Sequence, residues 1–152
     1  LVLKTVGFLL FATLLAISCN NHTTLSPEEV SSIDVGGWPR GTFIRVAPKT
    51  IEDVTHDSFF KYVHITDGEV MRSIVNAVNE LTCVPVEREL DLRKVILIHL
   101  VDGRVITIGL GESSGTLFNG SSIQDSDDLF EIADSILYLS QDKDFWLPDF
   151  LK

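Results

Sequence analysis

Apolar residues recur along this chain in two rhythms, one of period two and one of period 3.6, and turn residues separate them. Ser26-Pro27-Glu28-Glu29 carries a helix-start signal, with Ser as N-cap, Pro at the first position and Glu at the third. Asp34-Val35-Gly36-Gly37 then ends a short helix. Thr42 to Ala47 (TFIRVA) and Phe59 to Ile65 (FFKYVHI) read as strands on their β-branched and aromatic content, joined by a polar connection. Thr66 or Asp67 caps a helix whose face is Val70, Ile74, Ala77, Val78 and Leu81, and Pro85 stops it. Lys94 to Val101 (KVILIHLV) and Arg104 to Leu110 (RVITIGL) flank Asp102-Gly103, which predicts a hairpin with a two-residue turn. A strand over Thr116 to Phe118 ends at Asn119-Gly120. A last helix begins at Ser126-Asp127-Asp128, with Leu129, Ile132, Ala133, Ile136 and Leu137 on one face. This order predicts an α+β domain spanning residues 26 to 152: an antiparallel sheet of about four to five strands with two main helices packed on it.

The hairpin register follows from its turn. A two-residue loop pairs Val101 with Arg104, His99 with Ile106, Leu97 with Ile108 and Val95 with Leu110. Paired residues share a face. One face then holds Val95, Leu97, His99, Ile106, Ile108 and Leu110. The other holds Ile96, Ile98, Leu100, Val105 and Thr107. A half-exposed sheet should alternate apolar with polar, so something is expected to cover the second face. The candidates are the segment around Val30 and Ile33, the tail Phe145-Trp146-Leu147, or another protein. On the last reading Ile96, Ile98, Leu100, Val105 and Trp146 form a partner-binding surface.

Upstream of the domain, Val6 to Ile17 is an uncharged run of 12 residues behind Lys4. About 20 such residues are needed to span a bilayer, so the run has the proportions of a signal peptide. It leads into Ala16-Ile17-Ser18-Cys19, which is similar to the lipobox of bacterial lipoproteins, with Ala16 where Leu is the commonest residue. The resemblance implies cleavage after residue 18, diacylglycerol on the Cys19 thiol, and acylation of the freed amine. Each buried CH₂ adds about 0.8 kcal/mol, so three chains would anchor the protein durably in the membrane. The residue after the lipidated cysteine is Asn20. In Gram-negative lipoproteins an Asp there tends to retain the protein in the inner membrane, so Asn20 implies the outer membrane, facing the periplasm, in such a host. Residues 19 to 25 would be the lipidated tether. The folded part, over residues 59 to 139, resembles small helix-and-meander domains found on bacterial lipoproteins of unknown function.

Charge narrows the partners. The chain has 12 basic and 22 acidic residues, a net charge of −10, and removal of Lys4 with the signal takes it to −11. Nucleic acid and anionic membrane surfaces repel such a domain, whereas basic proteins attract it. Of the two cysteines, a lipidated Cys19 leaves Cys83 without a disulfide partner.

Little in the sequence points to catalysis. The histidines are His22, His56, His64 and His99, with His64 and His99 on strands, and no HExxH, HxH or CxxC spacing occurs. There is no GxSxG elbow. The glycine-rich run Gly109 to Gly115 joins strand to strand and lacks the lysine of a phosphate loop. Asp125, Asp127, Asp128 and Glu131 lack the Gly and the terminal Glu of a calcium loop, and the helix dipole accounts for them. The sequence therefore predicts no cofactor, no metal and no enzyme activity. It predicts a lipid-anchored envelope protein whose acidic domain binds another protein, as an immunity protein, an inhibitor of a basic toxin, or an accessory subunit. A ligand-binding or sensing lipoprotein with a buried pocket is the alternative. An enzyme would need a cleft of titratable groups, for instance around His64 or His99.

Overall fold

The computed structural model describes residues 24–38, 48, 50–55, 61–87, 89–111 and 115–140. Nine elements follow a single 3₁₀ turn over Pro27–Glu29: β1 (Val30–Gly37), α1 (Ile51–Thr55), β2 (Lys61–Ile65), α2 (Gly68–Asn79), β3 (Leu92–Leu100), β4 (Val105–Gly111), β5 (Thr116–Phe118), β6 (Ser121–Ile123) and α3 (Asp127–Ser140). The strands form one open antiparallel sheet in the order β2-β1-β3-β4-β5-β6. The fold is α+β as expected, but the sheet has six strands rather than four or five.

The extra strands have physical reasons. Ser26-Pro27-Glu28-Glu29 does start a turn, and the Glu29 carboxylate accepts from the Ser26 N–H at 2.9 Å. The turn stops after Glu29 because Val30, Ile33 and Val35 are β-branched and bury themselves better in a sheet than on a one-turn helix. The predicted short helix is thus a strand, and that strand is central, pairing with β2 on one side and β3 on the other. Ser121–Ile123 forms a three-residue strand after the Asn119-Gly120 turn. The proposed strand Thr42 to Ala47 lies outside the described residues.

The hairpin closes through three residues, not two. Gly103 N–H donates to Leu100 O at 3.0 Å, Leu100 N–H donates to Arg104 O at 2.9 Å, and Gly103 holds φ at 86°, a conformation glycine adopts freely. The extra residue moves every cross-strand pair by one. Ile98 faces Ile106, Ile96 faces Ile108 and His99 faces Val105. Ile96, Ile98, Leu100, Ile106, Ile108 and Leu110 now share a single aliphatic face, and Val95, Leu97, His99, Val105 and Thr107 share the other. A one-residue slip has this effect because side chains alternate with period two.

Both α2 and α3 lie over the aliphatic face. Ile33, Val35, Ile96, Ile98, Ile108 and Leu110 are buried there with Ile74, Val75 and Val78 of α2 and Leu129, Ala133 and Leu137 of α3. Asp67 caps α2, accepting from the N–H groups of Glu69 and Val70. The α3 helix comes close enough at Gly37 that a Cβ there would sit 2.7 Å from Leu137 Cδ1. Leu25 also belongs to this core, and its N–H and C=O are both bound by the Asn79 side chain, at 2.8 and 2.9 Å. Leu25, expected at the end of the tether, thus packs with the core. On the opposite face, α1 sets Val54 against Trp38, Tyr62, Leu92, Val95 and Leu117.

Lys94 is buried beneath α3. Its Nζ lies 2.9 Å from Asp134 Oδ1 and 4.0 Å from the centre of the Phe130 ring, so an ammonium taken from water meets a carboxylate and a π face. Removing one member of a buried pair strands the other charge. Asp134→Ala should cost about 3–5 kcal/mol in chemical denaturation. The double variant Lys94→Met, Asp134→Leu should recover most of that loss.

Candidate functional site

Alternation along β1 sends Ile33 and Val35 into the core and Asp34 to the other face. There Asp34 lies between two histidines. His64 is its direct partner on β2, and His99 reaches it diagonally from β3, where the pairing shifts between Val30 and Ser32. Asp34 Oδ1 is 2.6 Å from His64 Nδ1, and Oδ2 is 2.7 Å from His99 Nε2. The Asp34 side chain is 3% exposed, against 55% for His64 and 35% for His99. An ionised carboxylate only accepts hydrogen bonds. Both facing nitrogens therefore carry protons, Nδ1–H in His64 and Nε2–H in His99. A carboxylate this deep requires such donors, and here they also tie β2, β1 and β3 together.

Tyr62 shares this face two residues from His64. Its phenol is pushed up to about 12, chiefly by burial and then by the negative charge of Asp34, while a hydrogen bond with Thr55 of α1 acts in the opposite direction.

Chemically, His64 Nδ1–H on a buried carboxylate with Nε2 turned outward is the base half of a nucleophile-activating arrangement. Among the described residues no hydroxyl or thiol hydrogen-bonds to that Nε2. Nor does any group of three or more His, Cys, Asp and Glu among them stand where it could hold a metal ion. Cys83 is half-buried.

A second feature lies on the opposite side of the molecule. The outer surfaces of α2 and α3 leave a groove of about 480 Å³. Val70 of α2 and Ile132, Ile136 and Leu139 of α3 line it with apolar surface, and Glu69, Ser73, Glu131 and Ser135 complete the lining. Leu139 is 71% exposed, and its neighbour Tyr138 is 70% exposed.

The expected partner surface is not at the surface. Ile96, Ile98 and Leu100 are interior residues covered by the protein's own helices. The segment around Val30 and Ile33, expected as a cover, is a neighbouring strand of the same sheet, and the tail Phe145-Trp146-Leu147 lies outside the described residues. Val105 is 44% exposed but lies on the other face of the hairpin, beside His99. Trp146 and Cys19 lie outside the described residues. His64 and His99 were legible as strand histidines, but their common partner was not. Asp34 reads as a turn residue next to Gly36-Gly37, and only the alternation of Ile33 and Val35 around it marks a strand.

No family model, curated protein or solved structure matches this chain. Among the described residues no helix is long and apolar enough to cross a membrane.

The Tyr62 phenol gives this face an alkaline signature. In the unfolded chain a phenol releases its proton near pH 10. In the folded chain Tyr62 keeps it until about pH 12. Its contribution to stability is therefore present below about pH 10 and is lost as pH rises towards 12. Melting curves across that interval should fall steeply for the wild type and less steeply for Tyr62→Phe.

Proposed function

We propose that this chain is a lipid-anchored cell-envelope protein, held by acyl chains on Cys19, whose acidic domain is a non-enzymatic module that docks another protein. An immunity or inhibitor protein and an accessory subunit of an envelope complex are the concrete forms of this reading. The observation that carries it is the open apolar groove between α2 and α3. Core-forming helices ordinarily present a polar outer side, and here Val70 and Leu139 of the groove remain exposed.

The position of the groove suits this role. Leu25 is fixed to Asn79, at the end of α2. It stands six positions after Cys19, so at full extension the tether reaches about 20 Å. The groove starts at the opposite end of α2, at Glu69 and Val70, on the order of 15 Å further along the helix axis. A domain hung from its Asn79 end would keep the groove away from its anchor. The negative charge points the same way, because it disfavours nucleic acid and anionic lipid and favours a basic partner. The alternative, a small-ligand carrier, needs an enclosed cavity, whereas this groove is open along its length.

The test is crosslinking of the full-length lipidated protein in its native envelope, followed by pull-down and mass spectrometry, beside a Val70→Asp, Leu139→Asp variant. Both substituted positions are exposed, so the variant should fold as the wild type does. A stoichiometric partner lost in the variant is the expected result. Absence of any partner, or a partner retained undiminished by the variant, would overturn the reading.

A further inference from the structure

Resting on that docking role, we infer that the groove between α2 and α3 takes a basic amphipathic helix of a partner protein. The shape argues for a helix. Two neighbouring helices leave a valley between their ridges, and a third helix fills such a valley by seating apolar side chains at i, i+3, i+4 and i+7. Val70, Ile132, Ile136 and Leu139 supply the apolar floor such side chains require.

Charge decides the chemistry of the occupant. Glu69 lines the α2 side of the groove and Glu131 the α3 side, and both are exposed. Along α3 stand Asp127, Asp128, Glu131 and Asp134, with no basic residue. Asp134 is already engaged by Lys94, which leaves Asp127, Asp128 and Glu131 facing water. The only cation of α2, Arg72, is not among the groove-lining residues. An incoming helix with an aliphatic stripe flanked by Lys or Arg would therefore meet carboxylates on both sides, while an acidic helix would find no counter-charge among the described lining residues. Opposed charges at the rim would also speed the encounter and make it salt-dependent.

The probe is a synthetic helix of about 18 residues, five turns, with leucines at i, i+3, i+4 and i+7 and lysines elsewhere. A scrambled peptide of the same composition and a version with every Lys replaced by Glu accompany it. Binding is measured to the full-length lipidated protein in phosphatidylcholine nanodiscs, with empty discs as background and a photoreactive leucine to locate the contact. The inference expects saturable binding of the amphipathic basic peptide, with crosslinks to α2 and α3 around Val70 and Leu139. It expects at least tenfold weakening by Glu69→Lys, Glu131→Lys and at least tenfold weakening by Val70→Asp, Leu139→Asp. Equal binding of the scrambled or acidic peptide, crosslinks elsewhere, or indifference to the charge reversal would overturn it. The envelope crosslinking separates the two proposals. A native partner lost on Val70→Asp, Leu139→Asp but retained on Glu69→Lys, Glu131→Lys refutes the basic helix and leaves the docking role standing. A partner lost in neither variant refutes both.

Discussion

Ile33, Val35, Ile96, Ile98, Ile108 and Leu110 are removed from water when α2 and α3 close over the sheet, and the other features of the molecule are arranged around that burial. Each such side chain contributes roughly 1.5–3 kcal/mol when fully buried. The net stability of a domain is only about 5–15 kcal/mol, so the loss of one or two of these contacts is felt by the whole fold. The burial depends on register. With three residues in the hairpin loop the isoleucines of β3 and β4 stand on one face, and with two they would be divided between faces. Gly103, in its left-handed conformation, allows the three-residue loop that this register needs.

The two faces handle buried charge in different ways. Under the helices, Lys94 is matched by Asp134 and by the ring of Phe130, and the pair pins α3 to the sheet. On the opposite face, Asp34 is matched by two imidazole N–H groups from the strands on either side of it. Each arrangement links elements that hydrophobic contact alone would leave free to slide. Each also selects a single geometry, since Lys94 has to reach one particular turn of α3 and Asp34 has to sit between His64 and His99.

Long periodic segments were legible in the sequence. Gly68–Asn79 and Asp127–Ser140 announce themselves through their apolar faces and their capping residues, and the β3–β4 hairpin through its paired β-branched runs. Two things were hidden. Val30–Gly37 carries a helix-start signal just before it and two glycines at its end, so local chemistry masked a strand that only tertiary pairing with β2 and β3 reveals. Asp102-Gly103 suits either a two-residue or a three-residue loop, and the choice rests on which register collects the isoleucines on one side. The Asp34 site was illegible for a related reason. Its three residues come from three strands, and no spacing in the sequence relates 34, 64 and 99 until the sheet is assembled.

Because Ile96, Ile98 and Leu100 are interior, the aliphatic hairpin face is closed to a partner. A comparison of Ile98→Asp with Val105→Asp by chemical denaturation addresses that claim most directly. If Ile98 lies under the helices, a charge there has no water and no partner, and Ile98→Asp should abolish cooperative folding while Val105→Asp leaves stability nearly unchanged. A folded, stable Ile98→Asp protein would contradict the register and the core built on it.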